Sequence, residues 1–466
     1  MKRRTFLQLS VPLVASINNL RSCEPIVSRV EAQSLATVLH GGKAFYQNKW
    51  RTMDVGIDTA GKIRFGNDLQ GLETLNISGK IVSPGFIDIL ADNSIDPEST
   101  YDTFEKYKVT DGVTTALQMH GGSADCGSYY QRFGRLPHLI NFGVSTFVMV
   151  IRGQGGSVAA RKRLVETNLD QGALGVSHSL EYQPTPYDEV LEYAKLAKKY
   201  DRPLFLHLRY SSSDNELRGV DEAIQLARDS GARVHIDHLH STGGTFHMES
   251  ALDRIRTANS GGLTVTTCVY PYSYWATYLY NRRFDAGWQQ RYGISYNDLR
   301  VVGSSERLNA HSFARYRKSS KLVAVPEGVM PLDKTVDLAL RESFCMIGSD
   351  GGIQFEARAN SHPRGAACFA TGIRHALDIN LPLETIIAKM TVLPCSVVHT
   401  AMKGRGVLEE GAIADLTVFD PATIRGNATV EDPNQFSSGI ALVIVNGKIA
   451  FRDGKMAGKH GVAIKA

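Results

Sequence analysis

The sequence lacks the patterns that mark several large classes of protein. Its six cysteines are scattered over 466 residues without Cys-x-x-Cys spacing, so neither a disulfide framework nor a zinc ribbon is expected. It has no dense stripe of lysine and arginine, and its net charge is only +5, so no nucleic-acid partner is expected. The apolar run at residues 7–17 is too short to span a membrane. We therefore do not expect the mature chain to be transmembrane.

The composition that remains is that of an ordinary globular protein. Hydrophobic residues make up 43% of the chain and charged residues 21%, which argues against disorder. A chain of this length can bury a large core and is expected to form about two to three domains. The sequence leaves the oligomeric state open.

The N-terminus resembles an export signal. The run Lys2-Arg3-Arg4-Thr5-Phe6-Leu7 precedes the short apolar stretch, as in leaders that carry folded proteins across a membrane by the twin-arginine route. We therefore predict a leader at residues 1–34 and a periplasmic or otherwise exported protein. Cys23 is a candidate for lipid attachment, although Arg21 fits that pattern poorly. The alternative is a cytoplasmic protein with a basic N-terminus.

Two segments at opposite ends of the chain share a β texture. Short branched runs separated by glycine turns fill residues 35–83, and similar runs return at 414–420 and 441–447. Each segment alone is too small to bury a core. We predict that residues 35–83 and 396–466 combine into one small β-sandwich domain.

Strand patterns alternate with helical patterns between these segments. Strand candidates lie at 114–119, 147–151, 204–207, 234–239, 263–266 and 344–347, and helical spacing occurs at 187–200 and 220–230. This alternation predicts a (β/α)8 TIM-like barrel over residues 84–395. An aromatic and basic stretch at 273–340 interrupts the rhythm. We predict that it is a lid over the barrel mouth, the alternative being an irregular surface insertion.

The stretch from Val234 to His240 carries several histidines. It reads as a buried strand, on which His238 and His240 would share one face while Asp237 points the other way. Paired imidazoles at a strand end can present nitrogen ligands to a divalent metal, although single core histidines bonded to carbonyl groups would look the same. Active sites of such barrels lie at the C-terminal ends of the strands. The residues that fall there are His120, His207, His238 and Asp350.

Several motifs together resemble the N-acyl-D-amino-acid deacylase branch of the amidohydrolase superfamily. They run in order from about residue 36 to 460 and include Val82-Ser83-Pro84-Gly85-Phe86-Ile87-Asp88, Gly112-Val113-Thr114-Thr115, Leu180-Glu181-Tyr182, Gly348-Ser349-Asp350-Gly351 and His362-Pro363-Arg364-Gly365. The resemblance implies a metal-dependent hydrolase that cleaves a linear amide bond of an N-acyl-D-amino acid or a related small amide.

The resemblance also implies roles for individual residues. His207 and His238 match two ligands of a tightly bound zinc, and His120 takes the place of a cysteine ligand of the family. Asp350 matches the base that serves a zinc-activated water. Arg364 matches a residue that binds the carboxylate of a small-molecule amide substrate. Further substrate contacts are implied at Tyr182 and Tyr272, and His240 stands where the family has a lysine.

One departure from the family pattern affects the metal count. The family's His-x-His pair is replaced by Leu90-Ala91-Asp92, which predicts that a second, weaker metal site is lost and that one zinc is bound per chain. Two alternatives remain at this point. The chain could hydrolyse a cyclic amide, lactam or dipeptide in the same barrel, or it could be a non-catalytic member that binds a ligand without turnover.

Overall fold

The computed structural model describes residues 35–93, 97–319, 324–326, 328–354 and 358–466. The predicted leader at residues 1–34, with its arginine pair and Cys23, lies outside the described residues.

The described strands fall into a terminal group and a central group. Those of the N-terminal segment are β1 (Leu35–Tyr46), β2 (Lys49–Asp58), β3 (Ile63–Gly66), β4 (Gly71–Asn76) and β5 (Ile81–Pro84). The central ones are β6 (Phe86–Asp88), β7 (Val113–Ser123), β8 (Asn141–Phe147), β9 (Val176–Ser179), β10 (Leu204–His207), β11 (Val234–Ile236), β12 (Val265–Val269), β13 (Leu299–Val301), β14 (Ala324–Pro326), β15 (Cys345–Ile347), β16 (Ile353–Gln354) and β17 (Ala359–Asn360). The chain ends with β18 (Leu416–Phe419), β19 (Ile440–Val445), β20 (Lys448–Arg452) and β21 (Lys455–Met456).

The helices follow the central strands. They are α1 (Pro97–Thr110), α2 (Cys126–Phe133), α3 (Val148–Gly153), α4 (Val158–Asp170), α5 (Tyr187–Lys199), α6 (Glu216–Ser230), α7 (Met248–Ser260), α8 (Trp288–Tyr292), α9 (Ala310–Tyr316), α10 (Val336–Ala339), α11 (Arg364–Asp378), α12 (Leu383–Met390) and α13 (Val392–Val398). Short 3₁₀ turns occur at 239–241, 282–284, 296–298, 332–334 and 399–402.

The two ends of the chain form one mixed sheet, as predicted. Its order is β21-β20-β19-β18-β5-β1-β2-β3, and β4 pairs with β1. The long strand β1 pairs with β4 through residues 35–40 and with β5 through residues 43–44, and its pairing with β2 has a register shift between Leu39 and Gly42. This break lets one strand serve both halves of the sheet. Side chains from both ends, including Leu39, Ile57, Leu416 and Ile444, share its core.

The central strands form the predicted parallel barrel. The order is β15-β12-β11-β10-β9-β8-β7-β6, and every pairing along it is parallel. The seam between the first and last strands is bridged just beyond their ends, where the Asp350 amide donates to the Leu90 carbonyl (2.8 Å) and the Asp92 amide to the Gly351 carbonyl (3.2 Å). The loop after the last strand, which carries Asp350, is therefore hydrogen-bonded directly to the residues that follow the first strand.

Burial on both faces of each strand explains the barrel. Apolar side chains that include Leu117, Leu174, Phe205 and Met346 share one buried cluster with residues at the foot of the barrel, and a larger cluster joins the strands to the surrounding helices. Helix α6 shows how this layer forms. It buries Val220, Ala223, Ile224 and Ala227 at helical spacing and stops at Gly231, whose φ of +68° provides a left-handed cap.

The strand predicted at 147–151 is wrong. Strand β8 ends at Phe147, and residues 148–153 form helix α3. A short branched apolar run does not distinguish a buried strand from a buried helix. The burial pattern explains the outcome, because Val148 and Ile151, three residues apart, are fully buried, whereas Val150 is 43% exposed.

The insertion at 273–340 has a small aromatic core of its own. Trp288 and Phe313 stack with ring centroids 5.2 Å apart, and Phe284 packs edge-on against both. The hairpin of β13 and β14 belongs to the same segment. Its action as a lid stays a prediction.

One helical stretch in the described part of the chain, residues 383–402, is long and apolar enough to cross a membrane by length and composition. Half of it is buried inside the protein, and Val397, Val398 and Met402 join the barrel's inner cluster. The core position accounts for its apolar character.

A buried polar network connects the terminal sheet to the barrel and provides a stability test. Asp415 pairs with Arg405 and accepts hydrogen bonds from Asn141 (3.1 Å) and the Asn446 amide (2.7 Å). Asp415→Asn should lower the free energy of unfolding by about 3–5 kcal/mol, because it leaves a buried arginine unpaired. Urea denaturation measures this change. The matched control Asp453→Asn, on a side chain 78% exposed, should stay within about 0.5 kcal/mol; equal losses in both variants would contradict the role of the network.

Candidate metal centre

Three histidines from separate strands meet at the C-terminal mouth of the barrel. His120 lies near the end of β7, His207 is the last residue of β10, and His238 follows β11. One ring nitrogen from each lies within 4.8 Å of those of the other two. His207 and His238 are closest, with 3.2 Å between Nδ1 of the first and Nε2 of the second. The residues predicted as a ligand set are therefore brought together.

The strand predicted at 234–240 is shorter than expected. Strand β11 ends at Ile236, and His238 has φ +28° and ψ +59° before the 3₁₀ turn at 239–241. A positive φ is strained for a histidine and is typical of functional sites. The prediction that Asp237 points away from His238 is wrong because strand alternation stops before these residues. Asp237 reaches the same site, and its Oδ2 lies 3.0 Å from His120 Nδ1.

Each of the three imidazoles uses its second nitrogen for a separate partner. His120 Nδ1 bonds to Asp237 (3.0 Å), His207 Nε2 to Glu181 (2.9 Å), and His238 Nδ1 lies 3.0 Å from the Ser241 hydroxyl. The nitrogens left for a metal are Nε2 of His120, Nδ1 of His207 and Nε2 of His238. Partners of this kind fix the tautomer and orientation of metal-binding histidines.

The electrostatics of the cluster suit a cation. Burial lowers the pKa of His207 to about 4 and that of His238 well below its usual value, so both rings are neutral, as metal ligation requires. Burial opposes a charge on His120 as well, but the carboxylates of Asp350 and Asp237 outweigh it and raise its pKa to about 9. Positive charge is thus stabilised where these nitrogens converge. The donor set fits a divalent metal such as zinc.

Asp350 lies beside the histidines in a constrained loop. Its carboxylate oxygens are 3.8 Å from His120 Nε2 and 3.8 Å from His238 Nε2, and its φ is +47°. The preceding residue, Ser349, is held by the buried Asp88 through its amide (3.0 Å) and hydroxyl (2.6 Å). Lys108 completes this buried group, with Nζ 2.8 Å from Asp88. The first strand therefore helps to position the loop of the last.

Arg364 forms an ion pair with Asp350. Its Nη2 lies 2.7 Å from the Asp350 carboxylate, and its Nε donates to the Asp350 carbonyl at 2.7 Å. The remaining nitrogen, Nη1, is buried and has no protein partner among the described residues. The guanidinium also lies 4.3 Å from the centroid of the Tyr270 ring. Arg364 Nη1 is therefore a strong hydrogen-bond donor available on the side of the histidine cluster where Asp350 lies.

The other residues predicted to contact substrate have different surroundings. The ring of Tyr182 packs on His207 with centroids 4.6 Å apart. His240 is fully buried, neither of its nitrogens has a hydrogen-bond partner in the described chain, and burial lowers its pKa to about 3. Tyr272 is already engaged, because its hydroxyl bonds to the Ala367 carbonyl (3.2 Å) and lies 3.3 Å from Thr371. Tyr270, which our sequence analysis did not single out, contacts both His240 and Arg364.

A second group of possible ligands overlaps the first. Asp92, His120 and Asp350 also offer ligand atoms within 4.8 Å of one another. Because His120 Nδ1 is committed to Asp237, only its Nε2 is available for either group. Leu90, which the resemblance described above places where the family has a histidine, is fully buried in the barrel interior.

Sequence reasoning missed the supporting residues of the centre. Glu181 was recognised only as part of a motif, and Asp237 was assigned to the wrong face of a strand. Arg283, within the insertion, has its guanidinium 3.0 Å from the Glu181 carboxylate. Alternation along Val234–His240 could not reveal Asp237, because the backbone turns there. For Glu181 the available signal is an acidic residue two positions beyond the end of β9.

Comparisons with known proteins identify the family of the chain. The model of the Amidohydrolase family matches residues 81–450. The chain belongs to the amidohydrolase family. It is accordingly a hydrolase of carbon–nitrogen bonds other than peptide bonds.

The similar proteins of this family include deacylases. A D-aminoacylase of Alcaligenes xylosoxydans xylosoxydans is 26% identical over 508 residues, covering 94% of this chain and 99% of that protein. An N-acyl-D-glutamate deacylase of the same organism is 27% identical over 429 residues, covering 81% and 85%. The crystal structure of an N-acyl-D-glutamate deacylase from Bordetella bronchiseptica, complexed with zinc and a phosphonate mimic of the tetrahedral intermediate, has a TM-score of 0.78 and 25% identity, covering 93% of this chain and 100% of that chain.

The hydrogen bond between Asp237 and His120 provides a test of the metal centre. Asp237→Asn removes the negative charge behind the imidazole, and the affinity for zinc should fall by about 10–100-fold. Competition with a chromogenic chelator measures this affinity. The control Glu249→Gln, an exposed residue in the first turn of α7, should bind zinc like the unchanged protein. Unaltered affinity in Asp237→Asn would contradict the role of this contact.

Proposed function

We propose that this amidohydrolase deacylates N-acyl-D-amino acids, or closely related small linear amides, with one zinc ion per chain. The observation that carries the proposal is the convergence of three histidine nitrogens with the Asp350 carboxylate, which lies 3.8 Å from two of them. The relatives described above support the class of substrate.

The residues that would hold zinc are His120, His207 and His238. Zinc held there supplies Lewis acidity, which makes a water molecule nucleophilic near pH 7 and polarises a carbonyl group. We infer a single ion because the two possible ligand groups share His120. Its Nε2 can bind a metal either with the other two histidines or with Asp92 and Asp350, but not with both. Only the first group supplies three imidazoles, and neutral imidazole is a preferred ligand of zinc.

Asp350 would carry the proton that hydrolysis must move. An amide is cleaved when water loses a proton and the leaving nitrogen gains one, so one carboxylate in reach of both atoms can serve both steps. The Asp350 oxygens face the histidine cluster, and Arg364 holds the side chain from the other side. The ion pair fixes the rotamer of the base before substrate arrives.

Arg364 would also orient the substrate. Its buried Nη1 lacks a partner within the described residues, and an unsatisfied guanidinium donor is a strong site for a carboxylate. His240, with two unpartnered ring nitrogens, can donate one further hydrogen bond as a neutral ring. The ring of Tyr182 would limit the space beside His207. A substrate that bears a carboxylate next to its amide matches these donors.

The stereochemistry and shape of the substrate form the direct test. We expect the zinc-loaded protein to hydrolyse N-acetyl-D-amino acids, with little turnover of the L enantiomers, dihydroorotate or hydantoins. Chelation should abolish the activity and added zinc should restore it. Release of free amino acid, followed by chromatography, measures turnover. Hydrolysis of the cyclic amides without that of any N-acyl-D-amino acid would favour the cyclic alternative, and a protein that binds zinc but turns over nothing would favour the non-catalytic one.

Replacement of the base separates chemistry from metal binding. Asp350→Asn should lower kcat by about 10²–10⁴-fold, the usual contribution of a general base, while one equivalent of zinc remains bound. Steady-state kinetics and elemental analysis of the same sample give both quantities. Asp92→Asn is the matched control, because it alters the other carboxylate near His120 and should retain most of the activity. An equal loss in both variants would contradict the assignment of the base to Asp350 alone.

A further inference from the structure

Arg283 is a buried residue of the insertion that reaches the partners of the histidine cluster. It lies in the 3₁₀ turn at 282–284, and its side chain is only 3% exposed. Its Nε and Nη2 lie 3.1 and 3.0 Å from Oε2 of Glu181. Its Nη2 also donates to the Ser241 carbonyl at 2.9 Å. The guanidinium is covered by Trp275, at 4.8 Å from the ring centroid.

Both residues that Arg283 contacts touch a histidine on their other side. Oε2 of Glu181, the oxygen that pairs with Arg283, also accepts the hydrogen bond from His207 Nε2 at 2.9 Å. The Ser241 hydroxyl lies 3.0 Å from His238 Nδ1. The guanidinium of Arg283 therefore reaches two of the three histidines through one intervening residue each, His207 through Glu181 and His238 through Ser241.

The charge of Arg283 matters because the Glu181 side chain is only 14% exposed. Ser211 donates to its other oxygen, Oε1, and Arg283 is the cation that contacts Oε2. Removing one member of a buried ion pair leaves a charge without compensation, which drives the remaining group toward solvent or another rotamer. If Glu181 turned away, His207 would lose the acceptor that presents its Nδ1 to the centre.

We propose that Arg283 is a positioning residue that couples the seating of the insertion to metal binding, through Glu181 at His207 and Ser241 at His238. The inference rests on the proposed zinc site. Arg283 adopts these contacts only when the segment 273–319 is seated on the barrel. Coupling between two events is reciprocal, so zinc stabilises the seated insertion, and the seated insertion tightens the binding of zinc.

The experiment compares zinc binding with protection of the insertion in the full-length protein. Zinc affinity is measured by chelator competition, and hydrogen–deuterium exchange of segment 273–319 is recorded with and without zinc. We expect zinc to slow exchange of this segment in the unchanged protein. In Arg283→Met, zinc affinity should fall by about 10–100-fold, and zinc should no longer slow the exchange. Arg283→Lys, which keeps the charge but not the fork, should recover part of both effects.

Arg317→Met is the matched control. Arg317 fastens the insertion internally, with Nη1 bonded to the carbonyls of Leu279 and Asn281 (2.7 and 2.9 Å) and Nη2 to Asp285 (2.9 Å). The variant should speed exchange of the segment, and zinc affinity should fall by much less than in Arg283→Met, because Arg283 itself and its contacts with Glu181 and Ser241 are retained. A merely structural role for Arg283 would make the two methionine variants alike.

The outcomes separate this inference from the proposed function. If the unchanged protein binds zinc but zinc does not alter exchange of the insertion, or if Arg283→Met keeps full affinity, the coupling is overturned and the zinc site stands. If the unchanged protein binds no zinc, both are overturned. Because the exchange measurement on the unchanged protein needs no substitution, an Arg283 variant that fails to fold does not prevent this decision.

Discussion

The placement of imidazole protons is the constraint on which the site depends. A neutral histidine has one N–H group and one lone pair, and a buried ring can direct its lone pair toward a metal only if the N–H finds an acceptor elsewhere. Asp237 and Glu181 are such acceptors for His120 and His207. A carboxylate largely removed from water needs compensation in turn, and for Glu181, 14% exposed, this comes from Arg283. The need of His207 for a hydrogen-bond acceptor therefore extends, through Glu181, to Arg283 in the insertion.

The barrel allows this many polar groups to lie close together. Parallel strands bring their carboxyl ends to one rim, so residues far apart in sequence meet without long loops. The polar groups at the rim are also braced from below. The buried pair of Lys108 and Asp88 holds Ser349, the neighbour of the proposed base, by three hydrogen bonds: Ser349 donates two to Asp88, and Lys108 donates one to the Ser349 hydroxyl. A salt bridge in the first repeat thus fixes the geometry of the last.

Much of the fold could be predicted from local patterns, and the errors have physical causes. The barrel, the composite sheet and the strand at 204–207 follow from periodicity and glycine turns, which are properties of neighbouring residues. The strand predicted at 147–151 is wrong from residue 148 onward because a branched apolar run suits both a buried strand and a buried helix. The turn at His238 was missed because no local signal marks a histidine that tertiary contacts hold at φ +28°.

The residues of the site likewise fall into those that the sequence predicts and those that it does not. The histidines and Asp350 could be found because they sit at strand ends and in family motifs, which are readable one position at a time. Glu181 and Arg283 could not be paired from sequence, since about 100 residues separate them and their contact exists only once the insertion lies on the barrel. Tyr272 shows the converse: its motif position is kept, yet its hydroxyl is bonded to helix α11. Position alone does not fix the direction of a side chain.

A leucine at position 90 fits the rule that each buried polar group of the site needs a partner. A histidine buried at that place without a metal would leave ring nitrogens unsatisfied, at a cost of about 1–3 kcal/mol. A fully buried leucine instead contributes about 1.5–3 kcal/mol of apolar burial, and Leu90 packs inside the barrel against Gly348. Its backbone still serves the site, since its carbonyl accepts the Asp350 amide. A leucine at this position therefore offers no metal ligand, yet its backbone still supports the loop that carries the proposed base.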